Sequence, residues 1–181
     1  MVFFCGVKML KIYNIDSKYI DFLKQYESNI DYNIKENNKH KRPYIGIVLE
    51  MGHCLYFAPL KSPKMKYDIT MKSHTDIVLI DDGEKGIINL NDMIPITKEN
   101  FDKLLTEVEY KINEADDVDD IKYKNLIQDQ INWCNKKENK EIIYKKAKRV
   151  YNLYDKLPDT NKLKQRCCNF KYLEKRIKEY I

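Results

Sequence analysis

The ten residues 58–67, APLKSPKMKY, gather one aliphatic hydroxyl and three ammonium groups around two prolines. Pro59 and Pro63 bracket Leu60, Lys61 and Ser62. Each fixes its own φ and removes a backbone donor, so the segment leaves a sheet ladder as a stiff loop. Such a loop suits phosphate: the Ser62 hydroxyl donates a hydrogen bond, and Lys61, Lys64 and Lys66 each supply a point charge. The same residues also suit a solvated turn, and spacing alone leaves both readings open.

Other chemistries find less support. His40, His53 and His74 are scattered and form no pair of the kind many ribonucleases use. Cys5, Cys54, Cys134, Cys167 and Cys168 are odd in number, and the adjacent Cys167 and Cys168 fit neither a CxxC site nor an ordinary disulfide. The expectation is free thiols in a reducing, cytoplasmic setting with no transition metal. The carboxylates Asp116, Asp117, Asp119 and Asp120 read as an acidic interhelix loop with helix-capping duty, not a magnesium site.

The net charge of +5 hides a partition. Residues 1–75 carry +5, residues 76–120 carry −10 and residues 121–181 carry +10. Two basic segments flanking an acidic one favour a polyanionic partner, nucleic acid first. Of 14 tyrosines and one tryptophan, most sit at helical spacing and read as core, including Tyr44, Tyr56, Tyr151 and Tyr154. Trp133, inside the basic C-terminal region, suits packing and base stacking equally.

These groups need a scaffold. MLKIYNI (9–15) alternates and reads as a strand. In DSKYIDFLKQYESNI the apolar residues Tyr19, Ile20, Leu23, Tyr26 and Ile30 follow a helical spacing, with Asp16 or Ser17 as cap. KENNKHKRP (35–43) reads as a basic loop. YIGIVLE and HCLYFAPL form a hairpin across Met51-Gly52, and DIVLI, GIINL and MIPI are three further short strands, the first two joined through DDGEKG. From Thr97 onward, amphipathic helices are expected over TKENFDKLLTEVEYKIN (97–113), roughly 121–137, roughly 138–157, and 169–181 with Asn169 as cap. This is an α+β chain with a small antiparallel sheet or barrel, and one domain over 1–181 is expected. Residues 1–8, ahead of Met9, read as a dispensable lead-in without a secretory cleavage site. No apolar run reaches the roughly 20 residues of a membrane helix.

Four stretches in series, KIYNIDSKYIDFL, YIGIVLE followed by YFAPLKSPK, GIINLNDMIPI and CNFKYLEKRI, resemble the ToxN/AbiQ family of type III toxin–antitoxin systems. The resemblance runs from about Lys11 to the C-terminus. It implies a MazF-like (SH3-like) β-barrel elaborated with helices and a sequence-specific, metal-independent endoribonuclease without cofactor. It also implies a pseudoknotted, repeat-derived RNA antitoxin in a closed toxin–RNA complex, with phage defence as a family role. Position by position, Ser62 and Lys64 match the family's catalytic loop, and Lys61 stands where a relative has threonine. Tyr19 matches an active-site tyrosine and Arg42 a basic residue near the scissile phosphate, with Lys41 as its one-residue alternative. QDQINWCN matches an RNA-contacting helix, which nominates Gln130, Asn132 and Trp133. In the expected chemistry Lys64 and Arg42 stabilise a phosphorane, Ser62 orients a nonbridging oxygen and Tyr19 positions the phosphate or assists proton transfer. Two other functions compete: a noncatalytic RNA-binding module, and a barrel toxin with a protein antitoxin.

Overall fold

The computed structural model describes residues 9–31, 41–67 and 69–180. The proposed lead-in 1–8 with Cys5, and residues 35–40 of the basic loop with His40, lie outside these residues. Three stretches of the expected sheet come first: β1 (Lys11–Ile15), β2 (Tyr44–Met51) and β3 (Cys54–Lys61), followed by β4 (Ile77–Leu79), β5 (Ile87–Asn89), β6 (Ile94–Thr97) and β7 (Leu105–Glu107). All pairings are antiparallel, in the order β4-β5-β3-β2-β1-β7, with β6 also on β3.

β3 is the hub. Its first half pairs with β6 (Cys54↔Thr97 to Phe57↔Ile94) and its last two residues pair with β5 (Leu60↔Ile88, Lys61↔Ile87). Seven of its eight residues are buried, so the strand is covered on both faces, as its unbroken apolar run requires. Successive side chains point to opposite faces. Phe57 therefore packs on Tyr13 and Phe101, while Tyr56 packs on Tyr151 and Phe170 from the other side.

The expected barrel is not what forms. Among the described residues β4 and β7 end the ladder without pairing to each other, so the antiparallel sheet stays open. β5 and β6 share one edge of β3 in succession, and the three-residue strands β4 and β7 are too short to wrap round and meet.

Helix α1 (Ser17–Lys24) starts where expected, with the Asp16 carboxylate accepting from the Tyr19 amide. The expected helix over 97–113 is replaced by a 3₁₀ turn, a four-residue α2 (Phe101–Leu104) and then β7. The open edge of β1 supplies the backbone partners (Tyr13↔Glu107, Asn14↔Thr106, Ile15↔Leu105). Thr106 and Val108 favour that extended state, and the Val108 amide donates on to Ile12. Behind the sheet lie α3 (Val118–Cys134), α4 (Lys137–Tyr154), a short unanticipated α5 (Lys162–Arg166) and α6 (Phe170–Arg176), the last two capped by Asn161 and Asn169. Asp117 caps α3 by accepting from the Asp119 and Asp120 amides, and Asp116 pairs with Lys124, so the acidic cluster is used up in local structure.

Two polar ties fix β4 to the helices. The Lys146 ammonium of α4 donates to the carbonyls of Lys72, His74 and Ile77. Asp76, fully buried, accepts two hydrogen bonds from Arg166 (2.6 and 2.7 Å) and one from the Asn91 amide. Burial would raise the Asp76 carboxyl, but Arg166 and Asn91 more than offset it and hold it below the usual carboxylate range. Cys54, Cys134, Cys167 and Cys168 are buried free thiols.

Removing Arg166 would strand a buried charge, which typically costs about 3–5 kcal/mol. Arg166→Ala should lose stability on that scale in urea unfolding. An Asp76→Leu/Arg166→Leu pair should recover most of the loss.

Candidate active site

β3 ends at Lys61, and the chain from Ser62 to Lys66 then runs fully exposed before re-entering at the buried Tyr67. Its far end closes in a turn, the Tyr67 amide donating to the Lys64 carbonyl at 2.8 Å. What holds the two feet is the β4–β5 connection, DDGEKG. Gly86 lies so close that a Cβ there would fall 2.0 Å from the Lys61 carbonyl oxygen, and one at Gly83 would fall 2.3 Å from that of Tyr67. Both glycines have left-handed φ (+97° and +100°), the region that excludes most other residues. The Asp-Gly turn was legible in the sequence. Its use as a saddle for a loop twenty residues earlier was not.

Gln130 completes the clamp. It is buried, and its Nε2 donates to the Lys85 carbonyl at 2.6 Å and to the Lys61 carbonyl at 3.5 Å. Its expected contact with RNA is therefore replaced by a grip on the loop from behind. Helical geometry explains the division within QDQINWCN: residues two apart point to opposite sides and residues three apart to the same side. Asn132 is exposed, its Oδ1 accepting from Gln128, whereas Trp133 is half-buried against the main core.

Antiparallel register places the start of β2 beside the end of β3 (Tyr44↔Pro59), and so brings Arg42 next to Lys61. One carboxylate oxygen, Asp31 Oδ2, lies 3.3 Å from Arg42 Nη1 and 3.0 Å from Lys61 Nζ. Lys61 also approaches Asp92 Oδ2 (3.4 Å), which accepts from Asn89 Nδ2 at 2.5 Å. Burial, with a smaller contribution from Asp31, pushes the Asp92 carboxyl up to about 6, against the opposing pull of Lys61 and Asn89. Asn89 and Asp92 lie three residues apart in GIINLNDMIPI, which the sequence offered as part of the resemblance but not as site residues, and only the fold brings Asp31 to them through Lys61. Lys41 is exposed beside Arg42.

Tyr19 does not join this group. It is 1% exposed, its ring packs edge-on to Tyr180, and its hydroxyl donates to the Pro95 carbonyl at 2.6 Å. Burial raises its pKa far above that of a free phenol. The residue is part of the core, because the helix that carries it lays its apolar stripe on the sheet.

The chain matches, over residues 11–178, the family described as toxin ToxN of type III toxin–antitoxin systems. It belongs to that family. It is 31% identical to Endoribonuclease ToxN of Bacillus thuringiensis subsp. kurstaki, across 94% of this chain and 84% of that protein. It is 27% identical to Endoribonuclease ToxN of Pectobacterium atrosepticum, across 94% of each. A solved structure described as selective toxin inhibition by a non-coding RNA pseudoknot superposes with a TM-score of 0.74 at 26% identity, covering 96% of this chain and 98% of that one. No described helix is long and apolar enough to cross a membrane.

Two consequences of this arrangement are measurable. Folded Asp92 takes up its proton as pH falls through about 6, whereas in the unfolded chain it does so only near the ordinary value of about 3.9. Between those values the native state binds more protons, so this residue adds stability as pH falls and costs stability above 6. The difference in Tm between wild type and Asp92→Asn should therefore shift in favour of wild type from pH 7 to pH 4.5. Asp31→Asn removes a half-exposed counter-anion from Arg42 and Lys61 and should tighten binding of a polyanionic probe such as a heparin oligosaccharide several-fold at low salt, with the gain shrinking as salt rises. Filter binding over a salt series reads this directly.

Proposed function

We propose that this chain is an endoribonuclease toxin that acts in the cytoplasm and is restrained by an RNA antitoxin. The observation that carries the reading is an exposed Ser62–Lys66 loop, clamped at both feet and set beside the Arg42–Lys61 pair, in a chain of the ToxN family. Relatives named as endoribonucleases, and a neighbour inhibited by an RNA pseudoknot, support both the activity and the partner.

The chemistry asked of the protein is modest. The ribose 2′-oxygen attacks the adjacent phosphorus and loses its proton to a base. The P–O5′ bond breaks, and the departing 5′-oxygen takes up a proton. The products are a 2′,3′-cyclic phosphate and a 5′-hydroxyl. Charge grows on the nonbridging oxygens of the phosphorane, and preformed cations aimed there are worth far more than in water. Lys64 and Arg42 supply that charge, and Ser62 donates to a nonbridging oxygen. Lys41, Lys61 and Lys66 hold flanking phosphates, and the exposed Asn132 extends the contact along α3. Gln130 and Tyr19 act from the interior, the first by placing the Lys61 carbonyl and the second by packing. The proposed reaction requires no metal. Neutralisation by a pseudoknotted repeat RNA in a closed complex, and a role against phage, belong to the same reading, as does a MazF-like plan for the antiparallel sheet.

Purified protein incubated with RNA and EDTA should yield cyclic-phosphate ends. Lys64→Ala should cut more slowly by about 10²–10³-fold, the scale of losing one preorganised charge-stabilising donor. Tyr19→Phe should keep the cleavage rate while losing about 1–3 kcal/mol of stability for the orphaned Pro95 carbonyl. Binding of RNA without cutting would make the chain a noncatalytic RNA-binding module. Growth arrest on expression that only a protein encoded alongside relieves would exclude the RNA antitoxin.

A further inference from the structure

We propose that a cavity at the foot of the loop receives one nucleobase of the bound RNA and reads it through an exocyclic amine. This rests on the loop being the element that holds the scissile phosphate.

The cavity has a volume of about 290 Å³ and opens beside Lys61 and Lys66, the residues that flank the exposed Ser62–Met65 stretch. One side is apolar, formed by Tyr67, Met71, Ile77 and Ile87. These belong to a small hydrophobic cluster separate from the main core. The rest of the lining is polar: Asn89, Asn91, Asp92 and Arg166. A volume near the low end of small-molecule sites, which span about 300–1,000 Å³, admits one base and not a base pair.

The reaction geometry calls for such a slot. In-line attack aligns the 2′-oxygen, the phosphorus and the 5′-oxygen, an arrangement that a stacked A-form strand does not offer. The bases flanking the scissile phosphate must part, and single-stranded RNA is recognised with its bases splayed onto protein surfaces. A partly apolar cavity lined by Lys61 and Lys66, at the two ends of the phosphate-holding loop, adjoins it.

The polar lining selects the edge of the base. The Asn91 Nδ2 is committed to Asp76 (2.9 Å) and the Asn89 Nδ2 to Asp92 (2.5 Å). What Asn91 and Asp92 can still offer a ligand is acceptors. Asn91 Oδ1 is buried without a hydrogen-bond partner among the described residues, a state that ordinarily costs stability and that a donor relieves. Asn91 lines the cavity but this oxygen is itself covered, so a donor reaches it only when a neighbouring lining side chain moves, and the half-buried, flexible Met71 is the lining residue best suited to do so. Adenine, cytosine and guanine each bring an exocyclic amine. Uracil brings two carbonyls around one N–H and would set oxygen against oxygen.

The test titrates the full chain with nucleoside 3′-monophosphates, which have no leaving group and are not cut, while the side-chain amide signals of Asn89 and Asn91 are followed by NMR. Adenosine 3′-monophosphate should shift the Asn91 signal and bind at least about 5-fold more tightly than the purine-riboside analogue that lacks the amine, one hydrogen-bonded contact being worth about 1 kcal/mol or more. Uridine 3′-monophosphate should bind no better than that analogue. Asn91→Ala should abolish the preference. Met71→Trp, which fills the cavity without touching Asp76, should abolish binding while leaving Tm near wild type. Equal binding of amine-bearing and amine-free nucleotides, or a preference that survives both variants, overturns the proposal. A chain that reads the amine but leaves RNA uncut would retain the pocket and refute the catalytic reading. A chain that cuts RNA with the pocket indifferent would do the reverse.

Discussion

The site depends on two backbone carbonyls, those of Lys61 and Tyr67, pressed against two glycines. Lysine side chains carry roughly 2 kcal/mol of rotamer entropy each, so a lysine-rich loop concentrates charge usefully only when its backbone does not move. Gly83 and Gly86 let the β4–β5 turn approach more closely than any side chain would allow. Gln130 ties that turn and the loop to α3, and the Leu60 amide ties the end of β3 to Pro43. The exposed stretch between the feet is short, so its position is determined by structure that lies entirely behind it.

This arrangement explains which parts of the molecule were legible in the sequence. β1, β4 and β5 fall inside the apolar runs that announced them, β2, β3 and β6 overrun theirs by one residue, and Asp16, Asp117 and Asn169 cap the helices their positions foretold or allowed. The loop from Ser62 onward was legible because Pro63 and the lysines are local, whereas Pro59, expected to stop the ladder, lies inside β3, which pairs on through Leu60 and Lys61. The 97–113 segment was not, since Phe101, Leu104 and Leu105 fit a helix as well as a turn followed by a strand. The free edge of β1, some ninety residues earlier in the sequence, decides between them. An open sheet in place of a barrel was equally hidden, because closure depends on whether the end strands can meet.

The site residues divide along the same line. Exposure of Ser62 and Lys64 follows from Pro63 and the end of a ladder, a local matter. Tyr19 and Gln130 are polar enough to read as contacts, yet each lies on the buried stripe of its helix, with its polar atom taken by a backbone carbonyl. Periodicity can place such residues on a stripe but cannot say which carbonyl waits there. Asp31, Asn89 and Asp92 were invisible for the opposite reason: Asn89 and Asp92 are a local pair three residues apart, and Asp31 joins them through Lys61 only once the chain is folded.

That group also bears on how a cationic site remains folded without its ligand. Arg42 and Lys61 repel one another, and with only 10% and 23% of their side chains exposed they receive little screening from water. Asp31 and Asp92 offset that repulsion, but unequally placed: Asp92 is held in the interior by Asn89, whereas Asp31 is 41% exposed. An incoming phosphodiester can displace the exposed carboxylate and take over its two cations, while the buried one stays. On the proposed reading, binding of RNA is then an exchange of one anion for another at nearly constant local charge, and the loop lysines supply the excess attraction that drives it.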